Sequence, residues 1–458
     1  MNQPNIFFIV LDTLRYDRLS CNGYNKQTSP NLDAFANHCI SFKNAITSAP
    51  WSVPSHASLF TGRFSTEHGA TSENPYLDGH FSTIAELLKK KNYDTLSIAL
   101  SNAWLSKSTT NITKGFDQEF TDRKDAVRSF SMIDRIVYKI KSNLKRRPRH
   151  TQVAIKLAQN KLSQTRNNPL FLFMNLMDVH MPFEPYKSSS HKFQVNTFPE
   201  KDVTFLIKAF KKYRSKPESL TGLQIDCLNK LYDACVHTLD AQLLTLLNTI
   251  KKNDNTILII TSDHGESLGE HQLLSHWLSL YDTLIKVPLM IYLPNKKEGQ
   301  VITEQVQLHN IFHTILDIVN FEDENHTKAF IQKNSLLAPN VNHKFVFSEH
   351  AYPKITLKNI KKDNPDFKNE KLECAKKSIR SNQYKYIYSV GQPDQLYNLI
   401  EDPDENKNIT NEAPEITKEL KERLFNKFNG LTKHSPDKDT TTSYDNTTQK
   451  KLEDLGYL

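Results

Sequence analysis

Asn5-Ile6-Phe7-Phe8-Ile9-Val10-Leu11-Asp12 is an unbroken apolar run, rich in β-branched and aromatic residues, that stops at a carboxylate. It reads as a strand covered on both faces, because a strand with a wet face would alternate with polar residues. Further apolar runs of this kind occupy 95–100, 170–176, 256–261 and 287–293, with helical patterning between them. Strands alternating with helices predict an α/β fold, a large and mostly parallel sheet sandwiched by helices. In such sheets ligands bind beyond the carboxyl ends of the strands, so chemistry should follow each strand. Asp12 follows the first, Asn102 the second, Asp178 and His180 the third, and Asp263 and His264 the fourth.

The run Ala49-Pro50-Trp51-Ser52-Val53-Pro54-Ser55-His56-Ala57-Ser58-Leu59-Phe60-Thr61-Gly62 places a serine hydroxyl at a helix start. Backbone N–H groups and the helix dipole favour an anion there, so Ser52 reads either as a nucleophile facing phosphate or sulfate or as an ordinary N-cap. Together Asp12, Asp263, His264 and Ser52 offer two carboxylates, an imidazole and a hydroxyl to one divalent cation. Such an ion polarises a substrate oxygen and makes a bound hydroxyl more acidic. Plainer roles exist for the same residues: Asp12 or Thr13 capping a helix that begins near Leu14, and Asp263-His264-Gly265 forming a polar turn.

At 458 residues the chain exceeds the usual reach of one core, which predicts a catalytic α/β domain at 1–335, a smaller α+β unit at 336–430 and a polar tail at 431–458. The small unit is read from short strands at 345–347, 384–388 and 395–397 and a helix at 414–428. A helical pair is expected over 226–251. Lys and Arg number 59 against 51 Asp and Glu, an excess that suits an anionic substrate and falls short of a nucleic-acid footprint. Basic residues gather at 139–149, expected as a solvated helix face in preference to a membrane-surface or polyanion patch. Five cysteines without C-x-x-C spacing read as reduced thiols, and no apolar run is long enough to span a bilayer. The N-terminal run lacks a basic lead-in and a small-residue cleavage site, so the expected location is the cytoplasm.

From first strand to last residues the chain resembles the sulfatase family of the alkaline phosphatase superfamily. Asn5 to Asp12 resembles its opening strand with a metal-binding Asp, and Ser29-Pro30-Asn31-Leu32-Asp33 and Phe42-Lys43-Asn44-Ala45 its T-P-N-L-D and F-x-N-A segments. Ser52-Val53-Pro54-Ser55-His56 falls on the C/S/T-x-P-S-R nucleophile motif and Leu59-Phe60-Thr61-Gly62 on its continuation. Asp178-Val179-His180-Met181-Pro182-Phe183 is similar to D-x-H-x-P-[YF], and residues 261–271 to T-S-D-H-G-E-x-L-G-E-H. Leu280-Tyr281-Asp282, Leu396-Tyr397-Asn398-Leu399 with Asp402-Pro403-Asp404-Glu405-Asn406, and Leu455-Gly456-Tyr457 match later signatures. The resemblance implies that Asp12, Asp263 and His264 hold one divalent metal with Ser52 as fourth ligand and nucleophile, and that His180 or His276 serves the leaving group. The implied substrate is a sulfate or phosphate ester, including esters of glycans.

The chain also departs from that pattern. His56 stands where the system that oxidises the nucleophile to formylglycine recognises an arginine, and Ser101-Asn102-Ala103-Trp104 replaces a G-K-x-H-like segment that supplies Lys and His to sulfate. Asp12-Thr13 replaces a double Asp, and Asp263-His264 an Asp-Asn pair; an imidazole ligand favours manganese or zinc, with calcium the remaining choice. These departures predict an unmodified Ser52, with Thr13, His56 and Asn102 as substrate contacts. The competing expectations are a strict sulfatase carrying formylglycine at position 52, and a transferase moving a phospho-alcohol onto a glycan or lipid.

Overall fold

Burial alternates along β1 (Asn5–Leu11): Ile6, Phe8 and Val10 enter one apolar core and Phe7, Ile9 and Leu11 another. Each fully buried side chain of this size contributes about 1.5–3 kcal/mol, and a strand that spends all of them inward must lie mid-sheet with both faces covered. The structure, a computed structural model, describes residues 3–143, 149–201, 203–204, 206, 216–296, 298–339, 341–430 and 446–454.

The other strands of this region are β2 (Cys39–Ile46), β3 (Asp94–Ile98), β4 (Gln118–Phe120), β5 (Leu170–Leu176), β6 (Thr256–Thr261), β7 (Ser267–Leu268), β8 (Leu274–Ser275), β9 (Lys286–Tyr292) and β10 (Gln300–Gln307). Seven of them join β1 in one eight-stranded sheet in the order β10-β2-β9-β6-β1-β5-β3-β4. Every pairing is parallel except those of β9, which runs antiparallel to β2 and β6, so the sheet is mixed and mostly parallel. β1 lies between β5 and β6, and the carboxyl ends of these three converge on one edge.

The helices used below are α1 (Ser52–Thr61), α2 (Arg123–Arg128), α3 (Met132–Asn143), α4 (His150–Leu162), α5 (Gly222–Lys251), α6 (Asp282–Ile285), α7 (Pro414–Asn429) and α8 (Asn446–Asp454). The expected helical pair at 226–251 is instead one helix of 30 residues, α5, closed at its start by a Thr221–Gln224 capping box. No Gly or Pro falls between Leu223 and Lys251, so nothing interrupts it.

A second sheet carries β11 (Val346–His350), β12 (Lys376–Arg380), β13 (Tyr384–Ser389) and β14 (Gln395–Asn398), antiparallel in sequence order. Leu420, Leu424 and Phe428 of α7 pack on Ile379, Tyr386 and Leu396 of this sheet. A buried charge network joins it to the large domain. The Asp282 carboxylate takes Arg380 Nε at 3.2 Å and Lys385 Nζ at 2.9 Å, Lys385 also reaches Glu405 at 2.8 Å, and Glu405 accepts from the Asp282 backbone N–H at 2.6 Å. Two signatures more than a hundred residues apart thus meet in space. Of the predicted tail, 431–445 and 455–458 lie outside the described residues, while 446–454 form α8, whose Leu452 is buried in the large core.

Candidate active site

Asp12 follows β1 and keeps its ladder through a backbone bond to Leu176 at 2.9 Å; Thr13 then turns the chain away with φ 60°. Neither residue caps an α-helix. Asp263 and His264 follow β6, and Ser52 opens α1 on the same edge of the sheet. Ser52 is the first helical residue, and the N-cap is Trp51, which contributes no side-chain acceptor to the first turn. The N-cap reading of Ser52 therefore fails.

All ten residues of α1 are buried. Its polar side chains are satisfied locally: Ser55 Oγ donates to Asp263 O at 2.8 Å, Thr61 Oγ1 to Ala57 O at 2.7 Å, and His56 Nδ1 to Ser52 O at 2.8 Å. The Ser55 bond fixes the helix start to the loop carrying Asp263. Position 265 has to be glycine, since a Cβ there would stand 2.0 Å from the Thr283 carbonyl oxygen.

The Asp12 Oδ2 atom accepts from Asn102 Nδ2 and Asn175 Nδ2, both at 3.0 Å. Asp263 Oδ1 accepts the backbone N–H of Thr13 at 3.3 Å and of His264 at 3.0 Å. The opposite oxygens, Asp12 Oδ1 and Asp263 Oδ2, are buried with no hydrogen-bond donor. His264 Nδ1 donates to Gly265 O at 2.9 Å, which leaves Nε2 facing Asp263 Oδ2 at 3.3 Å, Asp12 Oδ1 at 4.0 Å and Ser52 Oγ at 3.4 Å. Ligand atoms of Asp12, Asp263 and His264 all lie within 4.8 Å of one another, the only such trio among the described residues. Two donorless carboxylate oxygens and one imidazole nitrogen, desolvated together, are a donor set suited to a divalent cation.

Electrostatics carry the same sign. Burial and the neighbouring Asp263 raise the Asp12 carboxyl. Burial also opposes ionisation of Asp263, but His264 overcomes it and holds that group below the usual carboxylate range. Burial opposes charging His264 as well, yet Asp263 and Asp12 win and lift its imidazolium to about 9. The pair of carboxylates draws a positive charge into the site, and a proton on His264 meets that demand.

His180 and His276 flank this cluster. His276 lies tilted against His264 with ring centroids 4.3 Å apart and meets His180 edge-on at 5.3 Å, and its Nδ1 faces both Glu266 carboxylate oxygens at 3.3 Å. His180 donates from Nδ1 to Met181 O at 2.6 Å, and burial lowers its pKa. Beside Ser52, Trp51 stacks on Trp277 at 5.9 Å and meets Trp104 edge-on at 6.1 Å, which brings together all three tryptophans of the chain.

The three expected substrate contacts are placed differently. The Thr13 hydroxyl is spent on Asp12 O at 2.7 Å and Val179 O at 2.9 Å, the Asn102 amide on Asp12, and His56 lies fully buried beneath Ser52 against Phe60 and Phe173. All three support the ligand set from behind. Asp178, also after a strand, is turned into the scaffold, accepting from Thr151 and from Gln242 at 2.6 Å. Sequence reading missed Asn175 and Glu266. Asn175 is the lone polar residue in Leu170-Phe171-Leu172-Phe173-Met174-Asn175-Leu176, beside Val10 in the β1–β5 register, and that interruption was its signal.

Comparisons with known proteins bear on the family and the fold. The family profile described as Sulfatase matches residues 4–321. Arylsulfatase K of Canis lupus familiaris is 27% identical over 92% of this chain and 82% of its own length. An arylsulfatase of Clostridium perfringens is 23% identical, covering 92% of each chain. Among solved structures, the phosphonate monoester hydrolase of Agrobacterium radiobacter superposes with a TM-score of 0.71 at 18% identity, covering 93% of this chain and 95% of that one. A protein solved with its substrate D-glucosamine-2-N,6-O-disulfate superposes at 0.67 with 20% identity, covering 96% and 100%.

Proposed function

The chain belongs to the sulfatase family and is an ester hydrolase of sulfate or phosphate esters, and on that premise we propose that an unmodified Ser52 is its nucleophile, served by one divalent metal ion. The observation that carries this reading is Ser52 Oγ at the first position of α1, 3.4 Å from His264 Nε2, beside two buried carboxylate oxygens without donors. Asp12, Asp263, His264 and Ser52 would hold the ion. Bound there, it would acidify the Ser52 hydroxyl and draw charge from the non-bridging oxygens of the ester. The imidazole in the set supports manganese or zinc over calcium.

The chain's own groups supply the rest. Ser52, its hydroxyl proton given up to water, attacks sulfur or phosphorus through Oγ and the ester oxygen departs from the opposite face with a proton of its own, giving a serine-bound sulfo or phospho group that water then cleaves. The start of α1 turns its partial positive charge toward the oxygens that gain negative charge. His276 is the proton donor to the leaving oxygen, because the Glu266 carboxylate on Nδ1 fixes its ring against His264, whose Nε2 faces Ser52. The neighbour bound to a glucosamine disulfate supports a saccharide ester as substrate. Five free cysteines support a reducing compartment, and we place the protein in the cytoplasm.

The test is a panel of aryl sulfate, phosphate monoester, phosphate diester and phosphonate monoester substrates, assayed with manganese, zinc and calcium. Ser52→Ala should lose at least about a thousandfold in kcat on the preferred substrate, within the range seen when a covalent nucleophile is removed. Full activity of Ser52→Ala refutes the mechanism. An accurate mass of the Ser52 peptide from active enzyme should show plain serine; an aldehyde or its hydrate would make the protein a formylglycine sulfatase. Turnover that requires an added acceptor alcohol would make it a transferase.

A further inference from the structure

Helix α3 is turned inside out. Met132, Ile133, Ile136, Val137 and Ile140 are 71, 74, 52, 42 and 55% exposed, while its inward residues Asp134, Tyr138 and Ser142 are partly buried. Asp134 anchors that inner side, pairing with Lys156 of α4 at 3.0 Å and accepting from Asn160 at 3.2 Å, and Tyr138 packs against the large core. At about 100° per residue the five apolar side chains form one continuous stripe opposite this anchored side. Exposed Arg135 and Lys139 border the stripe along one edge and exposed Lys141 along the other. Lys139 and Lys141, the described basic residues of the run on this helix, are solvated as expected, and they rim an apolar face. Part of the basic run, 144–148, lies outside the described residues.

Contiguous apolar exposure of this kind marks a surface that meets something. Two copies joined face to face would bring like-charged rims together, whereas an anionic surface complements Arg135, Lys139 and Lys141 at once. A twelve-residue helix is too short to span a bilayer, and none of the described helices is long and apolar enough to do so. An apolar stripe flanked by basic residues that extend past it to the headgroups is the chemistry of a helix lying in the membrane interface. We propose that α3 docks this enzyme on anionic lipid bilayers, with Ile133, Ile136 and Ile140 entering the acyl boundary and Arg135, Lys139 and Lys141 pairing with lipid phosphates.

The experiment is co-sedimentation of the full-length chain with vesicles of phosphatidylcholine alone and of phosphatidylcholine mixed with phosphatidylglycerol, at low and raised salt. Binding should require the anionic lipid and weaken with salt. Lys139→Ala with Lys141→Ala should weaken partitioning by about thirtyfold, since each basic residue near such a surface is worth about fivefold. Ile133→Ser with Ile140→Ser should weaken it by about a hundredfold or more, at about fourfold for each CH2 withdrawn from lipid. Both double variants should retain turnover of a water-soluble ester, which reports an intact fold separately from docking. Vesicle binding that is absent in the parent chain, or unchanged in both variants, overturns the proposal. A sedimenting dimer that becomes monomeric in the isoleucine variant, with no vesicle binding, overturns it in favour of a second copy as occupant.

Discussion

Replacing Asn175 by leucine keeps the number and branching of side-chain heavy atoms in β5 and removes one of the two amide donors that hold Asp12. The lost bond is 3.0 Å long and ends on a carboxylate with no solvent exposure, so water cannot replace it. A hydrogen bond to a charged acceptor contributes about 1.5–3 kcal/mol, and the ion-free protein should lose that much stability. The metal site should suffer as well: with Asn102 alone on Oδ2, the carboxylate rotates more freely and Oδ1 no longer has a fixed direction. Groups that orient a ligand in this way are worth about 10–100-fold in affinity. At fixed metal concentration that weakening subtracts a further 1.4–2.7 kcal/mol, roughly, from the stabilisation the ion gives. Calorimetric titration with manganese should show the affinity loss, and urea midpoints with and without manganese should separate the two contributions. Asn102→Leu, which removes the partner donor at the same distance, should behave alike. Unchanged manganese affinity and an unchanged midpoint in Asn175→Leu would refute the view that these amides aim Asp12.

Other consequences are testable in the same preparations. Lys385→Met leaves Glu405 buried without its cation while Asp282 keeps Arg380, so unfolding free energy should fall by about 3–5 kcal/mol; adding Glu405→Gln should restore a clear part of that loss in a double-mutant cycle. Burial holds His313 and His350 at about 3, whereas the unfolded imidazoles titrate near 6.5. At each of these two positions the unfolded chain then binds more protons between these values, so the contribution of each histidine to stability should drop as pH falls below 6.5, by about 1.4 kcal/mol per unit. Buried Glu405 and Asp240, raised to about 7 and about 6, act in the opposite sense over the same range, so the histidine is isolated by difference: between pH 7 and pH 5 the stability of the parent chain relative to His313→Leu, read from urea midpoints, should fall by that slope, and a pH-independent difference contradicts the burial argument.

Strands buried on both faces were the most legible elements, because unbroken apolar runs such as Leu170–Leu176 and Thr256–Thr261 have no competing reading. β2, β10 and β12 escaped for the opposite reason. Gln300–Gln307 is an outer strand that exposes Val301 and buries Gln305 and Gln307, β2 carries Ser41, Lys43 and Asn44, and Lys376–Arg380 opens with two lysines. Their pattern is set by partners that the local sequence does not name. The ligand candidates were legible because parallel strands deliver whatever follows them to one edge. What Thr13, His56 and Asn102 do was not legible, since a polar side chain after a strand can point at substrate or back at its neighbours, and here the buried Asp12 carboxylate and the backbone claim them. Helix α3 shows the same limit: its amphipathic period is plain, but a period does not say which face is turned outward.

Trp51, Trp104 and Trp277 gather beside Ser52, and the chain has no other tryptophan. Its indole emission therefore arises almost wholly from the wall of the reaction centre. Excited at the red edge of its absorption, the unlabelled enzyme carries a built-in optical reporter: quenching or a spectral shift on mixing with an ester follows occupancy there, and its time course separates binding from turnover without a chromogenic leaving group.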